Sequence, residues 1–373
     1  MSSIENIKRQ KRQIIGSHTL PENRKGIAQV AATLVPLAVL WWIATWSTGV
    51  SYWLTATVTL VMSFFLLRAF VLMHDCGHGS LFRTGRLNRG FGFILGVVTG
   101  MPQYVWSKHH AYHHSTNGNW EKYRGPLSIA TVEEFGQLTV RKQRAYESAR
   151  SVWLAPFGGF VYLILNPRIS WLKGIIALIG HVISRKIARP DISIPAHAAT
   201  FETRHWASAE ECRHMTWNNI VLFACWLSMS YWIGPVLFFA VYVASVSLAG
   251  GAGIALFTVQ HNFEHAYASG DEGWDYDTAA IQGTSFLVLP RWLNWFTANI
   301  AYHHVHHLSA KIPNYCLVAC HDAHAQLFSD VPRITLQQIP RALKHILWDT
   351  QARRIISVAE YRQQVGVAVP GHG

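Results

Sequence analysis

Residues 51–78 read SYWLTATVTLVMSFFLLRAFVLMHDCGH, a long apolar run that ends in two histidines. As a helix, residues 51–73 can cross a hydrocarbon core of about 30 Å, which takes about 20 residues. His74 and His78 follow with spacing i, i+4, so both rings lie on one helix face. We therefore predict a transmembrane helix that carries two metal-binding candidates where it leaves the membrane.

Three other apolar runs have a similar length and lie at residues 27–47, 217–233 and 235–259. Together with residues 51–73 they form two pairs, each joined by a short connection. Half of the residues are hydrophobic and only 14% are charged, which is typical of a membrane protein rather than a soluble one. We predict an all-α membrane protein with four transmembrane helices in two hairpins, at residues 27–73 and 217–259.

Two further apolar stretches, residues 152–165 and 171–183, are shorter. Pro167 separates them, and lysine and arginine residues lie nearby. We predict interfacial or re-entrant helices here rather than membrane crossings.

The distribution of lysine and arginine predicts the orientation. Six of these residues precede the first span: Lys8, Arg9, Lys11, Arg12, Arg24 and Lys25. The short connections between paired spans carry none. The positive-inside rule therefore places three segments in the cytoplasm: residues 1–26, 74–216 and 260–373. The net charge of +12 follows from this bias and from attraction to anionic headgroups, so it does not indicate nucleic-acid binding.

This orientation divides the chain into functional segments. We predict one domain over residues 1–373, in which residues 74–216 form a helical cytoplasmic cap and residues 260–373 a cytoplasmic tail. We expect a multi-pass protein of the bacterial inner membrane with its active site on the cytoplasmic side.

Two more histidine clusters lie in the predicted cytoplasmic segments. Each has the pattern HxxHH, and a histidine at 261 leaves the fourth span at a matching depth; these residues are His110, His113, His114, His303, His306, His307 and His261. Two histidines four residues apart are as often a surface or core pair as a metal site. The repetition of HxxHH in one chain, on one side of the membrane, favours metal binding.

Nine imidazoles exceed the four ligands of a structural zinc ion, so the set suits two metal ions with open positions. Imidazole binds iron, copper, nickel and zinc alike, and the ligands alone leave the metal open. An all-nitrogen, two-metal site at a membrane surface suits oxygen chemistry on a lipid.

These motifs resemble the three histidine boxes of the membrane fatty acid desaturases, and in particular of the acyl-lipid branch with delta-12 (omega-6) enzymes. The stretches are HDCGHGSLF at 74–82, HAYHHSTNG at 110–118 after Trp106, and NIAYHHVHHLSAKIPNY at 299–315. The resemblance covers nearly the whole chain. It implies a non-haem di-iron centre that uses O2 to introduce a cis double bond into a lipid-linked acyl chain.

Carried over position by position, the resemblance implies nine iron ligands and no other catalytic residues: His74, His78, His110, His113, His114, His261, His303, His306 and His307. In some relatives an asparagine four residues before the ninth histidine holds a water on the metal. Phe257 occupies that position here, and a phenyl ring has no amide group to hold such a water.

Other residues beside the motifs have supporting roles at most. We expect the neighbouring histidines to serve as surface or outer groups rather than ligands; these are His109, His265 and His304. Three side chains are candidates to accept the distal ring N–H of a ligand: Asp75, Glu264 and Asn299.

Electrons must come from another protein, because the sequence has no GxGxxG fingerprint, no ferredoxin-type cysteine run and no fused haem domain. We expect a carrier such as ferredoxin or cytochrome b5, and the positive charge suggests that the carrier is acidic. A related di-iron lipid hydroxylase or carotenoid ketolase is an alternative. A histidine-rich metal transporter is another, although transport sites lie near the membrane midplane, and these histidines lie at its face.

Overall fold

The computed structural model describes residues 3–123 and 128–366, most of which are helical. The outermost residues of the predicted tails and four residues of the predicted cap lie outside this range. The longer helices are α1 (Ser3–Gly16), α2 (Asn23–Ser47), α3 (Tyr52–His78), α4 (Gly85–Thr99), α5 (Gln103–Thr116), α6 (Val132–Gly136), α7 (Val140–Ala149), α8 (Ala155–Phe160), α9 (Asn166–Ala188), α10 (Ile194–Ala199), α11 (Ala209–Ile233) and α12 (Pro235–His261). The C-terminal part adds α13 (Tyr276–Gln282), α14 (Arg291–Phe296), α15 (His303–Leu308), α16 (Asn314–Ala323), α17 (Ile339–Ala342) and α18 (Val358–Gln364).

Within the described residues, four helical segments are long and apolar enough to cross a membrane, by length and composition alone: α2, α3, Val152–Ala188 and α12. Three of them contain spans that the sequence predicts. The fourth, Val152–Ala188, includes residues that the sequence assigns to interfacial or re-entrant helices, whereas residues 217–233, within α11, are less apolar than these four segments. Buried Asn218 and Asn219 lower the apolar character of α11.

The segment Val152–Ala188 stays helical across Pro167 for a local reason. A π-helical turn, Val161–Leu165, precedes α9, and Pro167 falls in the first turn of α9, where a missing N–H costs nothing. Arg168 folds back, so that its guanidinium donates to the carbonyl oxygens of Gly100 and Leu163 and to Asn218 Oδ1. The charge near Pro167 therefore lies inside the bundle rather than breaking the helix.

The fold is mostly helical, as the sequence predicts, but the described residues also form five short strands that it does not predict: β1 (Ala130–Thr131), β2 (Phe286–Val288), β3 (Arg333–Thr335), β4 (His345–Asp349) and β5 (Arg354–Ser357). One sheet has the order β1-β4-β5, with β1 parallel and β5 antiparallel to β4. The other pairs β2 with β3 in parallel. Strands this short show too few alternations to be predicted from sequence.

Helices α8 and α12 touch through their backbones. A Cβ atom on Gly159 would lie 2.3 Å from the carbonyl carbon of Gly250 and 2.5 Å from the nitrogen of Gly251. Real Cβ atoms do not approach backbone this closely, so glycine is required for the contact. The contact brings Val152–Ala188 against α12 and fixes one wall of the bundle.

We expect Gly159→Ala to lower the free energy of unfolding by about 1–3 kcal/mol, because the helices must separate to admit a methyl group. Thermal unfolding of the detergent-solubilised protein measures this change. Gly90→Ala is the control, since nothing lies within 4 Å of its added Cβ. Equal stability of the two variants would contradict the proposed packing role.

Candidate metal centre

The histidine motifs come together at the ends of four helices. His74 and His78 occupy the last turn of α3, and Gly79, with φ 67°, ends that helix. His261 is the last residue of α12. The second motif lies on α5 and the third forms α15, so four segments distant in sequence deliver their imidazoles to one place.

The first group contains five histidines whose ligand atoms all lie within 4.8 Å of one another: His74, His78, His110, His114 and His306. Within it, the Nε2 atom of His114 is 3.1 Å from that of His110 and 3.0 Å from that of His306. Box one, box two and box three therefore all contribute to this group.

The second group contains His113, His261 and His307, again within 4.8 Å. His303 adjoins it, because its Nε2 lies 2.8 Å from Nε2 of His261. The Nε2 atoms of His113 and His261 are 3.2 Å apart. All nine histidines proposed from the sequence thus lie in two adjacent groups of five and four, and the rings of His114 and His307 stack across the boundary with centroids 4.2 Å apart.

The spacing of the nitrogens suits metal binding. Two nitrogens bound at right angles to one ion, each at about 2.1 Å, lie about 3.0 Å apart. Several ring nitrogens are buried without a hydrogen-bond partner among the described residues, including Nε2 of His74, His78 and His307. Buried imidazole nitrogens without partners are costly unless a cation or proton satisfies them. The residues therefore fit a metal centre.

Burial keeps these rings neutral. It is the main cause that holds the pKa of His114, His306 and His307 well below the ordinary value, and neighbouring imidazoles lower it further. A neutral imidazole presents the lone pair that a metal ion requires. Burial therefore favours the metal-binding form of these three rings at neutral pH.

Asp75 orients the first box, as the sequence predicts. Its Oδ1 accepts the Nδ1–H of His74 at 2.9 Å, which directs Nε2 of that ring toward the group. Its Oδ2 accepts from the backbone and side-chain nitrogens of Asn314 at 3.0 and 2.9 Å. Asn314, in the IPNY stretch, was not among the predicted site residues, although its position just after the third box could have suggested a supporting role.

The predictions that Glu264 and Asn299 accept a ring N–H from a metal-binding histidine are wrong. Glu264 faces Arg354 and Arg341, at 3.2 and 3.5 Å, rather than any of the nine imidazoles. The side-chain amide of Asn299 donates to the carbonyl of Asn314. Asn299 instead shapes the entry to α15, since it has a positive φ of 59°.

The three adjacent histidines lie outside both groups. His304 is buried and pairs with His321, with Nε2 2.9 Å from Nδ1, in a pocket of aromatic rings. His265 is 78% exposed beside Glu264. His109 is exposed and lies at the wall of a large cavity.

This cavity, of about 820 Å³, runs beside the histidines between α3, α5, α8 and α12. His110 and His113 form part of its wall, and apolar side chains line much of the rest. Phe257 also lines it, with its ring centroid 6.1 Å from that of His303 and 6.5 Å from that of Phe70. A phenyl ring therefore stands where some relatives are expected to have an amide.

Apolar helices that end in two groups of buried imidazoles, beside an apolar cavity, define a membrane protein with a histidine-rich centre that could hold metal. Comparison with known proteins identifies the family. Residues 51–336 match the family model described as Fatty acid desaturase. The chain belongs to the fatty acid desaturase family, which confirms the resemblance seen in the three boxes, and it is an oxidoreductase of the desaturase type.

Individual relatives agree with this assignment. A "Fatty acid desaturase" of Bacillus subtilis (strain 168) is 34% identical over 92% of this chain and 88% of its own length. An "sn-1 oleoyl-lipid 12-desaturase" of Anabaena variabilis is 20% identical over 73% of this chain and 69% of its own length. An "sn-2 acyl-lipid omega-3 desaturase (ferredoxin), chloroplastic" of Helianthus annuus is 25% identical over 75% of this chain, which spans 60% of that protein.

We expect Asp75→Ala to weaken metal binding by about 10–100-fold, because His74 loses its acceptor and both Asn314 donors lose their partner. Metal content after equilibration with a graded chelator measures the affinity. Glu264→Ala is the matched control, since it removes a carboxylate that faces Arg341, Arg354 and His345 rather than the nine imidazoles, and it should retain metal as the wild type does. Unchanged affinity in Asp75→Ala would contradict the orienting role.

Proposed function

We propose that the protein is an O2-dependent fatty acyl desaturase that introduces a cis double bond into a lipid-linked acyl chain through a non-haem di-iron centre. The observation that carries this proposal is the meeting of nine imidazoles, seven of them buried and two, His78 and His110, half-buried, in groups of five and four along an apolar cavity. Family membership supports iron as the metal, since nitrogen ligands alone do not select it.

Each group would hold one iron ion. The first would use five nitrogens and the second four: His74, His78, His110, His114 and His306 for one, and His113, His261, His303 and His307 for the other. Bound iron supplies the oxygen-activating chemistry that acid and base side chains cannot provide. In the overall reaction two hydrogens leave adjacent methylene groups, two electrons and two protons come from outside, and O2 becomes two molecules of water.

The protein's own contribution is to hold the acyl chain in place. The cavity volume falls within the range of about 300–1,000 Å³ typical of ligand sites. One part of its wall carries polar groups, including Lys122, Ser128 and Arg150, whereas the part between α3 and α12 is apolar. A lipid would therefore place its headgroup at the polar end and its methyl end between the membrane helices, so that its middle passes His110 and His113.

Trp106 and Tyr162 form part of the cavity wall nearest the histidines. Trp106 stacks on His110 with ring centroids 4.6 Å apart, and its Nε1–H donates to the hydroxyl of Tyr162 at 3.0 Å. This bond ties α5 to the π-helical turn and fills the space beside the first group. The indole would thus exclude water and keep the methylene groups next to the centre.

We also propose the topology that the charge distribution predicts, with the centre on the cytoplasmic side of a bacterial inner membrane. The short connections between α2 and α3 and between α11 and α12 support paired helices. The histidines lie at the ends of α3 and α12, which supports a centre at the membrane face rather than at its midplane.

The electron donor would bind a basic surface next to the first group. This surface contains six exposed cations: Arg24, Lys25, Arg83, Arg86, Arg89 and Lys311. Two hydrogen bonds between Asn23 and Thr84 bring the first segments together. Lys311 Nζ donates to the carbonyl of His78 at 2.9 Å, so the surface lies directly against the centre. An acidic carrier, such as ferredoxin or cytochrome b5, complements it.

The desaturase reaction is tested by expression in a host of known lipid composition. We expect new double bonds by mass spectrometry, each with the loss of two hydrogens. In His306→Ala, which removes a third-box nitrogen that lies 3.0 Å from Nε2 of His114 in the second box, we expect no product and less iron, with membrane insertion intact. His265→Ala, a change at the surface, should retain activity. Products that gain an oxygen atom would favour a hydroxylase or ketolase instead.

The donor surface is tested by the double variant Arg83→Glu/Arg86→Glu. We expect carrier-driven turnover to fall more than about tenfold at low salt, because steering between opposite charges is lost. Turnover after chemical reduction of the enzyme should not change. The control Arg141→Glu/Arg144→Glu, on α7, alters an equal charge elsewhere. An equal loss in both double variants would show that net charge, and not this surface, matters.

A further inference from the structure

Gly253 lies in the cavity wall, on the face of α12 that leads to His261. The residue is buried and lines the cavity. An added Cβ would meet one atom within 4 Å, Cδ1 of Leu67, at 3.7 Å, which is an ordinary van der Waals contact. A Cβ atom at this position would therefore fit without a clash.

The neighbouring glycines of α12 differ in this respect. A Cβ on Gly250 would lie 2.7 Å from Cα of Gly159, and one on Gly251 would lie 2.7 Å from the nitrogen of Pro156. These two residues allow α8 to pack against α12. Gly253 makes no such contact, so helix packing does not explain the missing side chain.

Helix geometry gives the depth of this position. Gly253 precedes His261 by eight residues, which is about 12 Å along the axis of α12 at about 1.5 Å per residue. Leu67, which faces it, precedes His74 by seven residues on α3. Val246, near the deep end of the cavity, is about 22 Å from His261 along the same axis. Gly253 thus lies about midway between the centre and the deep end.

The lining beyond Gly253 is apolar and consists of Leu66, Val246, Ala249 and Gly250 among others. Such a lining accepts a hydrocarbon segment and would leave a headgroup without hydrogen-bond partners. The part of an acyl chain that passes Gly253 is therefore its methyl end.

We propose that Gly253 determines acyl-chain specificity: its missing side chain lets the methyl-terminal segment pass between α3 and α12, and so sets how much chain can lie beyond the histidine centre. This inference rests on the proposed desaturase function. A larger residue here shortens the space behind the centre, so long methyl-terminal segments no longer fit while short ones still do.

The test is Gly253→Leu, assayed as full-length protein with a series of acyl lipids that differ by two methylene groups. We expect turnover of the longest substrates to fall at least about tenfold relative to the shortest, since single methylenes in an apolar pocket change rates by this order. Gly253→Ala should give a smaller shift in the same direction. Gly180→Leu is the matched control, because nothing lies within 4 Å of an added Cβ on this exposed position of α9, and its substrate profile should equal that of the wild type.

Metal content of each variant shows whether the centre is intact. An unchanged profile in Gly253→Leu, or an equal loss for all chain lengths with full metal content, would overturn the proposal. If Gly253→Leu fails to fold, the graded shift in Gly253→Ala decides the question. A wild-type protein that desaturates no acyl lipid would refute the proposed function itself. An active wild type with a variant of the same substrate profile would refute only the role of Gly253.

Discussion

The structure depends on crowding nine imidazoles into a small space from which water is largely excluded. Neighbouring ring nitrogens lie about one hydrogen-bond length apart, at 2.8–3.2 Å. A neutral imidazole has only one N–H, so a pair of such nitrogens shares at most one proton. Lone pairs that face one another in an apolar setting are unfavourable unless a cation lies between them. The helix ends that carry the rings must therefore be held in place by contacts elsewhere.

Those contacts are made mainly by side chains outside the motifs. Asp75 joins the first box to Asn314, which follows the third box by seven residues, and so ties α3 to α16. Arg168 bonds Asn218 and so links α9 to α11. Arg68, within α3, donates to the carbonyl of Trp295 on α14 and also bonds Thr33 on α2. These polar contacts are buried or half-buried, so each is hard to replace by water.

Much of this arrangement can be predicted from the sequence, because the length of the apolar runs and the spacing of the histidines are both local patterns. Apolar length gives α2, α3 and α12, and the i, i+3, i+4 spacing puts three rings of a motif on one face. The division of the rings into groups of five and four cannot be predicted, since it depends on how four helix ends meet. Helices were predicted at residues 152–165 and 171–183, but their continuity across Pro167 was not, because the π-helical turn and the folded-back Arg168 are tertiary features. Glu264 and Asn299 were misassigned because closeness in sequence to a motif does not give side-chain direction.

The contact between Gly159 and Gly250 has a consequence for how this enzyme could diversify. With backbone against backbone, α8 and α12 can move neither closer nor, without losing the contact, further apart. The width of the cavity is thus fixed where α8 and α12 meet. Relatives in membranes of different fatty acid composition would therefore change their selectivity through single side chains that line the cavity. The helical framework would stay the same.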